Sequence, residues 1–141
     1  MTEVVRAELT EQPIDAAEHE ALVAHHAAGA VVSFAGVVRN HDGGRSVTRL
    51  EYSAHPSADE IVRQVCEEIL RRHPEVTAVA AVHRVGTLMV GEIALAAAVS
   101  AAHRQPAFRA CADLVDLVKE RLPVWKRQVF ADGSDEWVGS T

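Results

Sequence analysis

Two uncharged stretches, Ala30–Val38 and Ile93–Ala102, limit what this chain can become. Each is about half of the roughly 20 residues that a membrane-crossing helix requires, so neither reads as a span. Val31–Val38 is a continuous β-branched and small apolar run, and is read as a strand buried on both faces. Ile93–Ser100 also reads as a strand. The segments between them carry helix signals rather than long linkers. At 141 residues there is room for one core, so the whole chain, 1–141, is expected to be a single domain.

Asp15 is expected to cap a helix running to about Ala28, with Glu18 in the capping-box position and Gly29 as the stop. Ser57 and Glu60 make a second capping box, opening a helix to His73 that carries Ile61, Val62, Val65, Cys66, Ile69 and Leu70 as its stripe and ends before Pro74. Pro106 suits the first turn of a third helix, which runs to Arg121 before Pro123. Strands are expected at Val4–Leu9, Val47–Ser53, Val76–Val85, Trp125–Ala131 and Glu136–Val138, with a turn around Gly86–Gly91. Arg39-Asn40-His41-Asp42-Gly43-Gly44-Arg45-Ser46 reads as a polar loop, about 39–46, too long for a tight hairpin and expected to be mobile. Hairpins mixed with helical crossovers argue for an α+β fold rather than a doubly wound sheet.

Charge locates the chemistry. The net charge of −6 argues against a nucleic-acid binder or an anionic-membrane binder. Yet between His103 and Arg127 there are six Lys/Arg against three Asp/Glu, and the only two lysines in a chain of twelve arginines, Lys119 and Lys126, both lie there. An acidic protein with one basic segment suggests a small anionic ligand. On the third helix Phe108, Cys111, Ala112, Val115, Val118 and Leu122 share one face, and Lys119 falls at its margin. There it either snorkels to water or is held partly desolvated as a usable acid, base or nucleophile.

Pro123 allows Lys126 to turn back from the following strand towards Lys119. Trp125 beside it is either an apolar wall of the site or, more commonly for tryptophan, a core residue. His103-Arg104 precedes a helix start, where free N–H groups and the helix dipole favour anions; a surface Arg–carboxylate pair is the plainer reading. Arg39 leaves a strand as the loop opens, a common place for a ligand clamp. His83-Arg84 has no helix start beside it and reads as structural. Cys66 and Cys111 are 45 positions apart, fall on apolar stripes and read as buried reduced thiols. No metal-ligand spacing is present, and no signal peptide is read, so the chain is expected to be cytoplasmic.

Several blocks in order carry a more specific message: Phe34-Ala-Gly-Val-Val-Arg-Asn-His41, Leu50-Glu-Tyr52 with His55, His83-Arg-Val-Gly86 with Gly91-Glu92, Ser100-Ala-Ala-His-Arg104 with Ala107-Phe108, Lys119, Pro123-Val-Trp-Lys126, and Trp137-Val138. From about residue 30 to 138 they resemble the MoaE family, the catalytic large subunits of molybdopterin synthase. The resemblance implies an α/β-hammerhead-type single domain with a mixed or antiparallel sheet and three main helices. It implies a sulfurtransferase of molybdenum-cofactor biosynthesis that converts cyclic pyranopterin monophosphate into molybdopterin. Its sulfur would come from a small ubiquitin-like carrier subunit bearing a thiocarboxylate on its C-terminal glycine. The large subunits would dimerise, giving a heterotetramer with two carriers.

The resemblance gives the substrate contacts as Val37, Val38, Arg39, His103, Arg104, Lys119, Lys126, Arg127 and Gln128, with Lys119 and Lys126 catalytic. No metal and no cofactor are expected on this subunit. Two departures stand out: Gln128 is found where relatives often have an acidic residue, and the sequence stops at Thr141, short of the longer tail some members carry. Two other readings keep part of the pattern. A non-catalytic α+β dimer binding a phosphorylated metabolite needs Arg39, His103 and Arg104 but not Lys119. A phosphoester-processing enzyme lacks the metal or nucleophile motif it would need.

Overall fold

The structure, a computed structural model, describes residues 2–139. Its first sheet has the order β1 (Glu3–Thr10), β5 (Val76–Arg84), β7 (Ile93–Ala101), β2 (Ala30–Val37). The β1–β5 pair is parallel and the other two pairs are antiparallel, so the sheet is mixed. Helices α2 (Ala58–Arg72) and α3 (Arg104–Arg121) cover one face, packing on Val79, Ala81, Ala97 and Val99. The short α1 (Ala16–Val23) covers the other face through Val23, over Ala78, Ala80 and Ala98. Alternate residues of β5 and β7 therefore meet helices on opposite sides, which alanine permits because its small side chain lets the layers approach closely.

The expected burial on both faces does not hold for Val31–Val38; β5 and β7 are the strands buried on both sides. Strand β2 lies at the sheet edge and alternates along its length; Val31 and Val37 are 42% and 51% exposed. A run of β-branched residues reports strand propensity, but whether it sits at an edge is decided by non-local pairing.

The second sheet has the order β3 (His41–Asp42), β4 (Arg45–Ala54), β8 (Val124–Phe130), β9 (Asp135–Gly139), with β6 (Gly86–Met89) also paired to β4. It encloses its own small core of Val38, Val47, Leu50, Leu88 and Phe130. The segment expected to be a turn at Gly86–Gly91 thus contains a strand. The segment expected to be too long for a tight hairpin is one: His41 pairs with Ser46 and Asp42 with Arg45 around Gly43-Gly44. Those glycines have φ of 57° and 77°, the left-handed values that a two-residue hairpin turn demands.

Helix ends also differ from the expected caps. Asp15 accepts from the Ala17 N–H as an N-cap should, but Glu18 lies beside Arg6, and the helix ends at Val23 rather than Ala28. His25 Nδ1 accepts from the Ala27 N–H and diverts the chain. Ser57 makes no side-chain cap to α2; its hydroxyl pairs with His55 Nδ1 at 2.8 Å. On α3 the buried face is Ala107, Ala110, Cys111, Leu114, Val115, Leu117 and Val118, so Phe108, at 51% exposure, lies outside the core it was assigned to. Among the described residues no helix is long and apolar enough to cross a membrane.

Candidate functional site

The two sheets and the C-terminal half of α3 meet around two adjoining cavities of about 110 and 330 Å³. Tyr52, His83, Leu95, Lys119 and Lys126 line both. The smaller continues over Leu122, Val124 and Val138; the larger opens towards Val37, Val38, Arg39, His41 and Gln128.

Strand alternation explains which side chains of β8 arrive. Lys126 and Gln128 are two apart and face the larger cavity, while Arg127 faces the other way. Arg127 donates from Nη1 to Glu51 at 3.0 Å and pairs through Nε with Asp135. The Arg127 side chain, expected among the substrate contacts, is engaged in an ion-pair network on the outer face and lines neither cavity. Trp125 is on that same outer face and 40% exposed, so it is neither a core residue nor a wall of the site.

Lys119 and Lys126 come together as expected. Lys119 projects from the last turn of α3 and Lys126 from β8, beyond the Pro123 break. Lys126 is held below the usual lysine range, first by burial and then by the positive charges of Lys119 and Arg39, against the opposing pull of Asp42. Val37, Val38, Arg39 and Gln128 also line the larger cavity.

His103 and Arg104 do not. They begin α3, whereas Lys119 lies near its end. Fifteen residues at 1.5 Å each separate Arg104 from Lys119 by about 22 Å along the helix. Both are exposed, and neither lines either cavity. The helix start suits an anion, but within one chain it is a different place from the lysine pair.

Three side chains outside the expected set belong to the site. His83, only 7% exposed, hydrogen-bonds through Nδ1 to the Arg84 carbonyl at 2.7 Å, so the ring proton is on Nδ1. Burial, with Lys119 nearby, pushes its pKa down to about 4, leaving a neutral imidazole at neutral pH. Tyr52 packs edge-on against that ring, its own phenol pushed up by burial. Asp42, at the hairpin, accepts from Gln128 Nε2 at 2.9 Å and from Arg39 Nη2 at 3.1 Å.

Cys66 and Cys111 are free and buried away from these cavities, with their thiols pushed up to about 12 and about 11 by desolvation. They are thiols, not thiolate nucleophiles. Among the described residues no cluster of three His, Cys, Asp or Glu is placed to hold a metal.

Known proteins share this sequence and shape. The family profile described as MoaE protein matches residues 9–121. A molybdopterin synthase catalytic subunit from Nostoc sp. is 39% identical over 92% of this chain and 79% of its own length. One from Staphylococcus carnosus is 38% identical over 94% of this chain and 87% of its own. The crystal structure of molybdopterin synthase from Staphylococcus aureus superposes with a TM-score of 0.87 at 34% identity, covering 94% of this chain and 96% of that one. A complex of subunits 1 and 2 of molybdopterin-converting factor from Helicobacter pylori shares the fold, with a TM-score of 0.67 at 15% identity.

Proposed function

The chain belongs to the MoaE family, and from that premise we propose that it is the catalytic subunit of a molybdopterin synthase. As a cytoplasmic sulfurtransferase, it takes sulfur from the thiocarboxylated C-terminal glycine of a small ubiquitin-like subunit. It places that sulfur on cyclic pyranopterin monophosphate to build the dithiolene of molybdopterin. The observation that carries the reading is the convergence of the only two lysines, from different elements, on one cavity with Arg39 at its mouth. A ligand-binding module for a phosphorylated metabolite has use for Arg39 but no need of Lys119 beside a neutral histidine.

Lys119 is the electrostatic and acid–base partner of the incoming thiocarboxylate. Lys126 assists proton transfer and stabilises the opened or monosulfurated intermediate; its depressed pKa suits that work, because a lysine nearer neutrality both gives and takes a proton. The smaller cavity, with Val124, Leu122 and Val138 on its walls, fits an extended peptide tail reaching the lysines. Water supplies the oxygen that replaces each sulfur delivered, leaving a carboxylate on the carrier, so two carriers serve one dithiolene. Arg39 holds the phosphate.

His103 and Arg104 join it only from a second copy of this chain, since their own helix carries them about 22 Å away. Dimerisation through the exposed edge β2 and the neighbouring face of α3, where Phe34 and Phe108 border an open apolar groove, suits that need. Assembly with two carriers then gives the heterotetramer. Incubation with thiocarboxylated carrier and cyclic pyranopterin monophosphate, followed by assay of dithiolene, tests the reading. Product formation is expected, and its absence with a folded, carrier-bound protein overturns it.

A further inference from the structure

Asp42, expected from sequence to sit in a mobile loop, instead ties together three residues of the site. One oxygen accepts from Gln128 and the other from Arg39, and its charge is felt at Lys126. The two arms are unequal. Gln128 is 3% exposed and its amide is fixed on β8, whereas the Arg39 side chain is 68% exposed. A hydrogen bond from a buried amide to a carboxylate persists; a solvent-exposed ion pair is weak and exchangeable.

The backbones around these side chains are held. Val38 exchanges two hydrogen bonds with the 91–92 turn, accepting from the Gly91 N–H at 2.8 Å and donating to the Glu92 carbonyl at 2.9 Å. The Asn40 carbonyl accepts from the Val47 N–H at 2.9 Å. Arg45, opposite Asp42 in the hairpin, lies 3.6 Å over the Phe130 ring. Asp42 and the Arg39 backbone are thereby fixed, and the Arg39 guanidinium is the part free to change partners.

We propose that Asp42 is a positioning residue: it parks Arg39 beside the cavity, stays bound to Gln128, and yields the guanidinium to the anionic group of an arriving phosphate ligand. A phosphate anion at Arg39, in the positive field that Lys126 adds, outcompetes one exposed carboxylate for the guanidinium, and the exchange costs little because an ion pair is broken and another made. Asp42 keeps its low pKa through Gln128 throughout, so it remains charged and disfavours neutral ligands that cannot displace it. The inference rests on the proposed function only in taking the ligand to be a phosphate.

Inorganic phosphate is the probe, titrated into the full chain at fixed ionic strength against sodium chloride and followed by the Arg39 Nε–H and Gln128 side-chain amide resonances. Phosphate, but not chloride, is expected to shift Arg39 while leaving Gln128 in place. In Asp42→Asn, phosphate binding is expected to tighten three- to tenfold, and by less than twofold when Arg39→Gln is already present. No response at Arg39, equal movement at Gln128, or the same tightening with and without Arg39 overturns the proposal. Dithiolene formation by the unaltered protein is scored separately. Product without a phosphate response at Arg39 discards this inference alone; the response without product discards the proposed function alone.

Discussion

The Tyr52 ring meets the His83 imidazole edge-on, with centroids 4.8 Å apart and planes at 75°. This contact, in the wall shared by both cavities, keeps water from the ring while the Arg84 carbonyl accepts the hydrogen bond from its one N–H. His83 accordingly binds a second proton only near pH 4, against about 6.5 in an unfolded chain. Between those values the unfolded state holds more protons, so stability is present above pH 6.5 and falls as pH drops towards 4. From pH 7.5 to pH 5 the loss from this group is about 2 kcal/mol. Urea unfolding of the native chain and of His83→Gln at both pH values checks it. The variant is expected to lose about that much less on acidification, and equal losses would remove His83 as the cause.

In the proposed function the two lysines divide the chemistry. Lys119→Ala is expected to lower product formation by at least ~100-fold with little change in carrier binding, because it removes a group acting on the reacting atoms rather than on the docking surface. Arg127→Gln, on the opposite face of β8 from Lys126, is expected to leave KM for the pterin within about threefold, since its guanidinium serves Glu51 and Asp135 instead. Single-turnover assays together with carrier-binding titrations separate the two effects. Retained turnover in Lys119→Ala sinks its assignment.

The proposed function has no use for either thiol as a sulfur carrier. A Cys66→Ala, Cys111→Ala double variant is expected to fold, losing about 1 kcal/mol at each position from the space left in the core, and to keep its turnover with thiocarboxylated carrier. Native alkylation of either cysteine is expected to be slow at pH 8, as both thiols titrate far above it. A folded double variant without turnover would return the cysteines to the mechanism.

The local chemistry of this chain was legible; its pairings were less so. Pro74 and Pro123 mark the ends of α2 and α3, and the motif residues Val37, Val38, Arg39, Lys119, Lys126 and Gln128 do share one cavity. The outward direction of the Arg127 side chain is legible too: period-two alternation along β8 sends Lys126 and Gln128 to one face and Arg127 to the other. The Gly43-Gly44 pair is likewise a two-residue hairpin signal inside the segment 39–46 that reads as loop. By contrast, nothing local to Val31–Val38 says that it pairs only with β7. Nothing local to His83 says that Tyr52 and Lys119, 31 positions before it and 36 after it, will close around its ring.

Position 128 shows how one substitution is answered elsewhere in the structure. The Gln128 amide donates a hydrogen bond to Asp42, so an acid at 128 would set two carboxylates at hydrogen-bond distance. Gln128→Glu is therefore expected to lower the thermal midpoint by roughly 5 °C at pH 8. The paired acids must share a proton, which raises one folded-state pKa above its unfolded value; that raised group contributes stability at low pH and loses it as pH rises. The deficit against the native chain is expected to shrink between pH 8 and pH 5. Adding Asp42→Asn reverses donor and acceptor, with the new amide on the hairpin donating to the acid on β8, and is expected to restore the midpoint at pH 8. Thermal unfolding of the native chain, the two single variants and the double variant at both pH values decides it: a deficit that persists in the double variant, or that does not change with pH, would show that Gln128 answers to packing rather than to the charge of Asp42.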